Sequence, residues 1–181
     1  MRREDLTGRH FTDSAQLVIQ HIARRALDRG MLTGELNEAT AGMLAVLSIL
    51  RWERKVALAA LERLSVDLDR LAREVDACIW VEGLSSRRAG DPQFEILPSG
   101  KRCIVVDTDR PCRQLLDQAE HQALGLEHTW VGTEHLLLAA VQFACPRFRE
   151  LLDRNDVSND RIRQAVLDVL RPDPPACASS P

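Results

Sequence analysis

Tyrosine is missing from this 181-residue chain, and aromatic residues of every kind make up only 4% of it. A surface that stacks on exposed bases needs aromatic platforms, so single-stranded nucleic acid is a poor fit. Charge of one sign is equally scarce. Lys and Arg number 24 against 27 Asp and Glu, for a net charge of −3. That balance provides no electrostatic capture of nucleic acid or of an anionic membrane, and neither is expected as a partner. No apolar run is long enough to span a bilayer, and the opening MRREDLTGRHFTDSAQ lacks the apolar core of a secretory signal. Paired cysteines are absent too. Cys78, Cys103, Cys112, Cys145 and Cys177 form no C-x-x-C and are irregularly spaced. This predicts reduced thiols in a cytoplasmic protein rather than a disulfide frame or a zinc cage.

What is present suits a globular core. Hydrophobic residues are 45% of the chain and charged residues 28%, enough for one domain or two small ones. Helical spacing dominates. Thr12 or Asp13 can cap a first helix, in which Ala15, Val18, Ile19, Ile22 and Ala26 share a face. The stretch DRGMLTGELNEATAG, with Gly30, Gly34 and Gly42, reads as a loop. Helices are then expected over about Ala41–Leu50 and Glu53–Leu64, and Asp67 caps another with Leu71, Val75 and Ile79 on one face. After the insert described below, Pro111 fits the first turn of a helix bearing Leu115, Leu116 and Ala119. Thr133 is expected to cap the apolar helix after it. Pro146 breaks that helix or starts its successor, and Ser158 caps the last.

Between these halves the pattern changes. Phe94 and Ile96 alternate with polar neighbours, as do Ile104 and Val106, around Pro98-Ser99-Gly100. That predicts a β-hairpin packed on the helices. The halves themselves superimpose: Leu61, Val66, Leu71, Val75 and Ile79 match Leu152, Val157, Ile162, Val166 and Leu170, each pair 91 apart (152 − 61 = 91). Thr40 and Leu44 match Thr133 and Leu137, 93 apart (133 − 40 = 93). The expected fold is all-α: two four-helix repeats in one pseudo-twofold bundle, with the hairpin inserted between them. The divisions are a segment over 1–10, repeat one over 11–80, the insert over 81–107, repeat two over 108–170, and a disordered Pro-rich tail over 171–181.

The second half carries Ala119, Ala123, Gly125, His128 and then Val131-Gly132-Thr133-Glu134-His135-Leu136-Leu137-Leu138. This string resembles the Clp N-terminal domain, the substrate- and adaptor-binding module of the ClpA, ClpB and ClpC unfoldases. FTDSAQLVI and LSVDLDRLAREV resemble, more weakly, the opening and close of that family's first repeat. The resemblance implies two repeats of four helices. No G-x-x-x-x-G-K-[ST] string is present, so the chain resembles a free-standing Clp N domain without its motor.

The resemblance also implies a site. In ClpC-type domains the glutamate matching Glu134 receives the guanidinium of phosphoarginine on tagged substrates, and a carboxylate suits a guanidinium fork. The first repeat has Ala41 and Gly42 where the second has Glu134 and His135, so one of two acidic sites is lost. Thr133, Glu134 and Trp130 are the expected peptide-binding residues. On physical grounds alone, Glu134 at a helix start also serves the helix dipole, worth roughly 0.3–1 kcal/mol. Trp130, Trp52 and Phe143 are most simply core residues; exposed near Glu134, Trp130 would instead be a peptide-binding anchor. His121, His128 and His135 recur every seven residues, but Gly125 and Gly132 interrupt the helix between them. H-E-x-x-H is absent, and no metal or other cofactor is expected. Cys112 and Cys145 lack the surroundings of a nucleophile. The expected function is therefore non-enzymatic: an accessory or adaptor-like binding module whose partners are Clp ATPase or protease subunits or their substrates, phosphoarginine-tagged segments among them. The alternative is a regulatory or scaffold protein that keeps the fold and binds an unrelated partner.

Overall fold

Helical periodicity and capping residues place the elements. The computed structural model describes residues 10–28, 38–52, 56–83, 94–96, 102–104 and 110–171. The first repeat runs β1 (His10–Phe11), α1 (Asp13–Asp28), α2 (Glu38–Trp52), α3 (Val56–Arg63) and α4 (Leu68–Gly83). The insert contributes β2 (Phe94–Ile96) and β3 (Arg102–Ile104). The second repeat follows as α5 (Arg110–Gly125), β4 (Trp130–Val131), α6 (Thr133–Gln142), α7 (Pro146–Arg154) and α8 (Asn159–Leu170). No helix among the described residues is long and apolar enough to cross a membrane.

The caps explain several boundaries. Thr12 Oγ1 accepts from the Ala15 N–H at 3.2 Å and starts α1. Asp67 Oδ1 accepts from the Arg70 N–H at 2.9 Å, and Ser158 Oγ from the Arg161 N–H at 3.3 Å. These two caps are 91 residues apart (158 − 67 = 91), the offset of the apolar pattern. Pro146 opens α7, where its missing N–H costs nothing. Ser65 and Asp156, again 91 apart (156 − 65 = 91), both adopt left-handed backbone, with φ of 57° each. The duplication therefore extends from side-chain pattern to cap chemistry and turn conformation.

The two repeats exchange helices across the pseudo-twofold. α3 packs on α8, and its counterpart α7 packs on α4. α2 and α6 cross at the centre, and each also contacts the first helix of the other repeat. One buried apolar cluster runs through both halves, including Met43, Leu47, Ile79, Leu115, Leu137 and Phe148. Helices this short gain most of their stability from such packing.

Two expectations need correction. The loop predicted up to Gly42 is helical from Glu38 onward. Gly42 lies inside α2 because α6 passes so close there: a Cβ on Gly42 would sit 2.9 Å from the Ala140 carbonyl oxygen. Close approach of two backbones outweighs the roughly 1 kcal/mol that glycine costs a helix. Second, a parallel pair went unpredicted. His10 and Phe11 pair with Trp130 and Val131, extended by the Thr12 N–H donating to the Val131 oxygen at 3.0 Å. The antiparallel hairpin is present, with Phe94 opposite Ile104 and Ile96 opposite Arg102. Its Pro98-Ser99-Gly100 turn, Val106 and the 172–181 part of the tail lie outside the described residues.

Candidate functional site

The start of α6 gathers most of the buried polar chemistry of the second repeat. α5 ends in a Schellman-type turn: Glu127 is left-handed, with φ of 59°, and the His128 N–H reaches back to the Ala123 oxygen at 2.9 Å. That reversal swings the chain so that His128 faces the next helix. Trp130, in β4, stacks on the His128 ring with centroids 5.0 Å apart and planes 14° from parallel. Gly132 is then the N-cap of α6, with Thr133 the first helical residue. This corrects the expectation that Thr133 caps the helix.

His135 closes the cap. It occupies the third helical position, and its Nδ1 accepts the Gly132 N–H at 2.8 Å. That is the reciprocal half of a capping box, with imidazole in place of the usual Glu or Gln. Its Nε2 lies 3.0 Å from Nδ1 of His128, and the two rings meet edge to face. These contacts assign the tautomers. A nitrogen that accepts from an amide carries no proton, so the neutral His135 ring is protonated at Nε2 and donates to His128 Nδ1. His128 then carries its own proton on Nε2.

Glu134 folds back over the cap. A Cβ on Gly132 would fall within 2.2 Å of Glu134 Oε1 and 2.4 Å of Oε2, so the carboxylate lies directly on the Gly132 α-carbon. The Gly132 backbone is extended, with φ of −100°, a conformation open to any residue. Glycine is needed here for space. Glu134 Oε1 also lies 3.3 Å from His135 Nδ1. With Nδ1 occupied by the Gly132 amide this contact is not an ion pair; it becomes one only if Nδ1 gains a proton, at the expense of the amide bond.

Of the three residues expected to form a binding surface, Thr133 is 2% exposed and Glu134 4%, so both are buried. Trp130 is 47% exposed, a solvent-facing side chain rather than a core one. Phe143 packs partly buried against the core, and the Trp52 side chain lies outside the described residues. His135 hydrogen-bonds at the helix start and His128 lies in the loop before it, and the turn at Glu127 brings the two rings together. His121 is exposed on α5. Among the described residues, His128, Glu134 and His135 form a group able to hold a metal ion, one ligand atom from each lying within 4.8 Å of the others. Spacing by seven flagged the two histidines; nothing in the sequence announced a non-glycine left-handed turn between them. Cys78 and Cys112 are buried and Cys145 half-buried, none in a disulfide.

Residues 108–180 match the family model of the Clp repeat (R) N-terminal domain. The match lies in the second repeat, the half that carries the Glu134–His135 helix start. A crystal structure of the Hsp104 N-terminal domain from Candida albicans shares the fold, with a TM-score of 0.60 at 16% sequence identity. The similarity covers 88% of this chain and 90% of that one, so the Clp N-domain fold extends over both repeats. Within that fold the two helix starts differ. Ala41 and Gly42 are buried at the α2–α6 crossing, whereas the second repeat keeps the Glu134–His135 cap.

Proposed function

We propose that this chain is a non-enzymatic protein-binding module, an accessory or adaptor-like component of a Clp chaperone–protease system. Its partner is a Clp ATPase or protease subunit, or a substrate of one. The observation that carries this reading is the match of the second repeat to the Clp repeat domain, whose α6 start is built beneath a half-exposed tryptophan. Tryptophan is enriched among residues that dominate binding energy. Trp130 is also held in place, stacked on His128 and anchored by the β1–β4 pairing, so little ordering is left to do on binding. In this reading Trp130 makes the contact, while Thr133 and Glu134 shape the helix start beneath it.

The burial of Glu134 bears on phosphoarginine. A guanidinium fork would have to draw the carboxylate away from Gly132 and His135, and the first repeat supplies only Ala41. Calorimetry with free phosphoarginine is expected to give no saturable heat in the wild type. Saturable binding that disappears in Glu134→Ala would assign Glu134 as the guanidinium receptor instead. For the wider reading, the full chain is immobilised and exposed to native extract, with Trp130→Ala as control. Enrichment of a Clp subunit or Clp substrate by the wild type, reduced by the substitution, is expected. Absence of every such protein from the captured set would refute the assignment.

A further inference from the structure

We infer that the His128–His135 pair is a divalent transition-metal site of the zinc class, with Glu134 as its outer carboxylate. This inference does not depend on the Clp partner. Two imidazole nitrogens face each other at 3.0 Å and share one proton between them. Tetrahedral ligands about 2.05 Å from zinc lie about 3.3 Å from one another, so replacing that proton by a metal asks the rings to part by a few tenths of an ångström and to turn by roughly 35° so that both lone pairs converge on the ion. Both rings are held in place: His128 by the Glu127 turn and the Trp130 stack, His135 by complete burial.

The protons balance without loss. His128 Nδ1 already presents a lone pair. The His135 proton moves from Nε2 to Nδ1 as the metal takes Nε2. There Glu134 Oε1, 3.3 Å away, accepts it, giving the carboxylate–histidine–metal arrangement common to metal sites. The Gly132 amide then turns to the carboxylate already lying on its α-carbon. Electrostatics permit the change. The N-terminus of α6 contributes roughly half a positive charge, which opposes a cation, and the Glu134 carboxylate beside His135 offsets it. His128 is half-buried, so water or a partner's side chain completes the coordination from the solvent side.

Cobalt(II), a spectroscopic stand-in for zinc, tests the site on the full-length reduced protein. One equivalent should bind, giving d–d absorption without thiolate-to-cobalt charge transfer and quenching the Trp emission. Zinc should displace it. His128→Ala should weaken binding at least tenfold, Glu134→Gln about 10–100-fold, and Cys145→Ser not at all. Failure of the wild type to retain cobalt or zinc would overturn the inference. So would a thiolate charge-transfer band, or an unchanged affinity in His128→Ala.

Discussion

At the residue scale, Gly132 and Glu134 occupy each other's space. A methyl group on Gly132 has no room unless the buried carboxylate leaves. Gly132→Ala should therefore destabilise the protein by about 1–3 kcal/mol, the usual cost of overpacking. The same substitution in a Glu134→Ala background should cost much less, because the obstructing group is gone. Additive effects in a denaturant-melt double-mutant cycle would show that the two do not compete. The sequence flagged the Thr-Glu-His string and its missing twin, and it correctly set Glu134 in the first turn of a helix. It was silent on where that side chain folds, because apolar periodicity describes faces and not the return of a carboxylate onto its own cap. The His128–His135 contact was hidden for a related reason: Glu127 is left-handed without being glycine.

At the element scale, the caps and the constant offset were legible. Asp67 and Ser158 are chemically competent N-caps before apolar stripes, and both cap. The β1–β4 pair was illegible, since two-residue strands carry no period. The helical start of α2 was misread because glycine signals a loop locally, whereas the crossing with α6 decides its place. Gly42→Ala tests that crossing. Intrinsic propensity favours alanine by about 1 kcal/mol, while the Ala140 carbonyl oxygen at 2.9 Å opposes it by about 1–3 kcal/mol. A net loss of up to about 2 kcal/mol in unfolding free energy from denaturant melts is expected; a gain would mean that the helices separate freely.

A second element-scale prediction concerns α4 and α7. Asn155 Nδ2 donates to Glu74 Oε2 at 2.9 Å, tying the end of α7 to α4 of the other repeat. That bond, reinforced by Arg70, holds the Glu74 carboxyl below its ordinary value of 4.5. A carboxylate whose pKa falls on folding stabilises fully above its unfolded value and loses the contribution as pH drops through the folded one. Glu74→Gln should therefore lower the melting temperature slightly at neutral pH and flatten the profile below about pH 4.5, so that wild type and variant converge in acid. An acid limb of identical slope in wild type and variant would refute the tie.

At the scale of the whole molecule, the repeats are halves of one core. The apolar offset of 91 already implied this, and the structure adds the exchange of α3 onto α8 and α7 onto α4. The pseudo-twofold is not carried into the two helix starts. One has become a close backbone crossing at Gly42, and the other keeps a polar cap beneath an exposed tryptophan. In the proposed reading this asymmetry leaves a single binding face, on the second repeat. The most direct test is the affinity of the full-length protein for its captured Clp partner, measured for wild type and Trp130→Ala at matched melting temperatures. A loss of about 30-fold or more, the scale of a tryptophan that anchors an interface, is expected from the substitution. An affinity unchanged by removing Trp130 would contradict the assignment of the binding face to the start of α6.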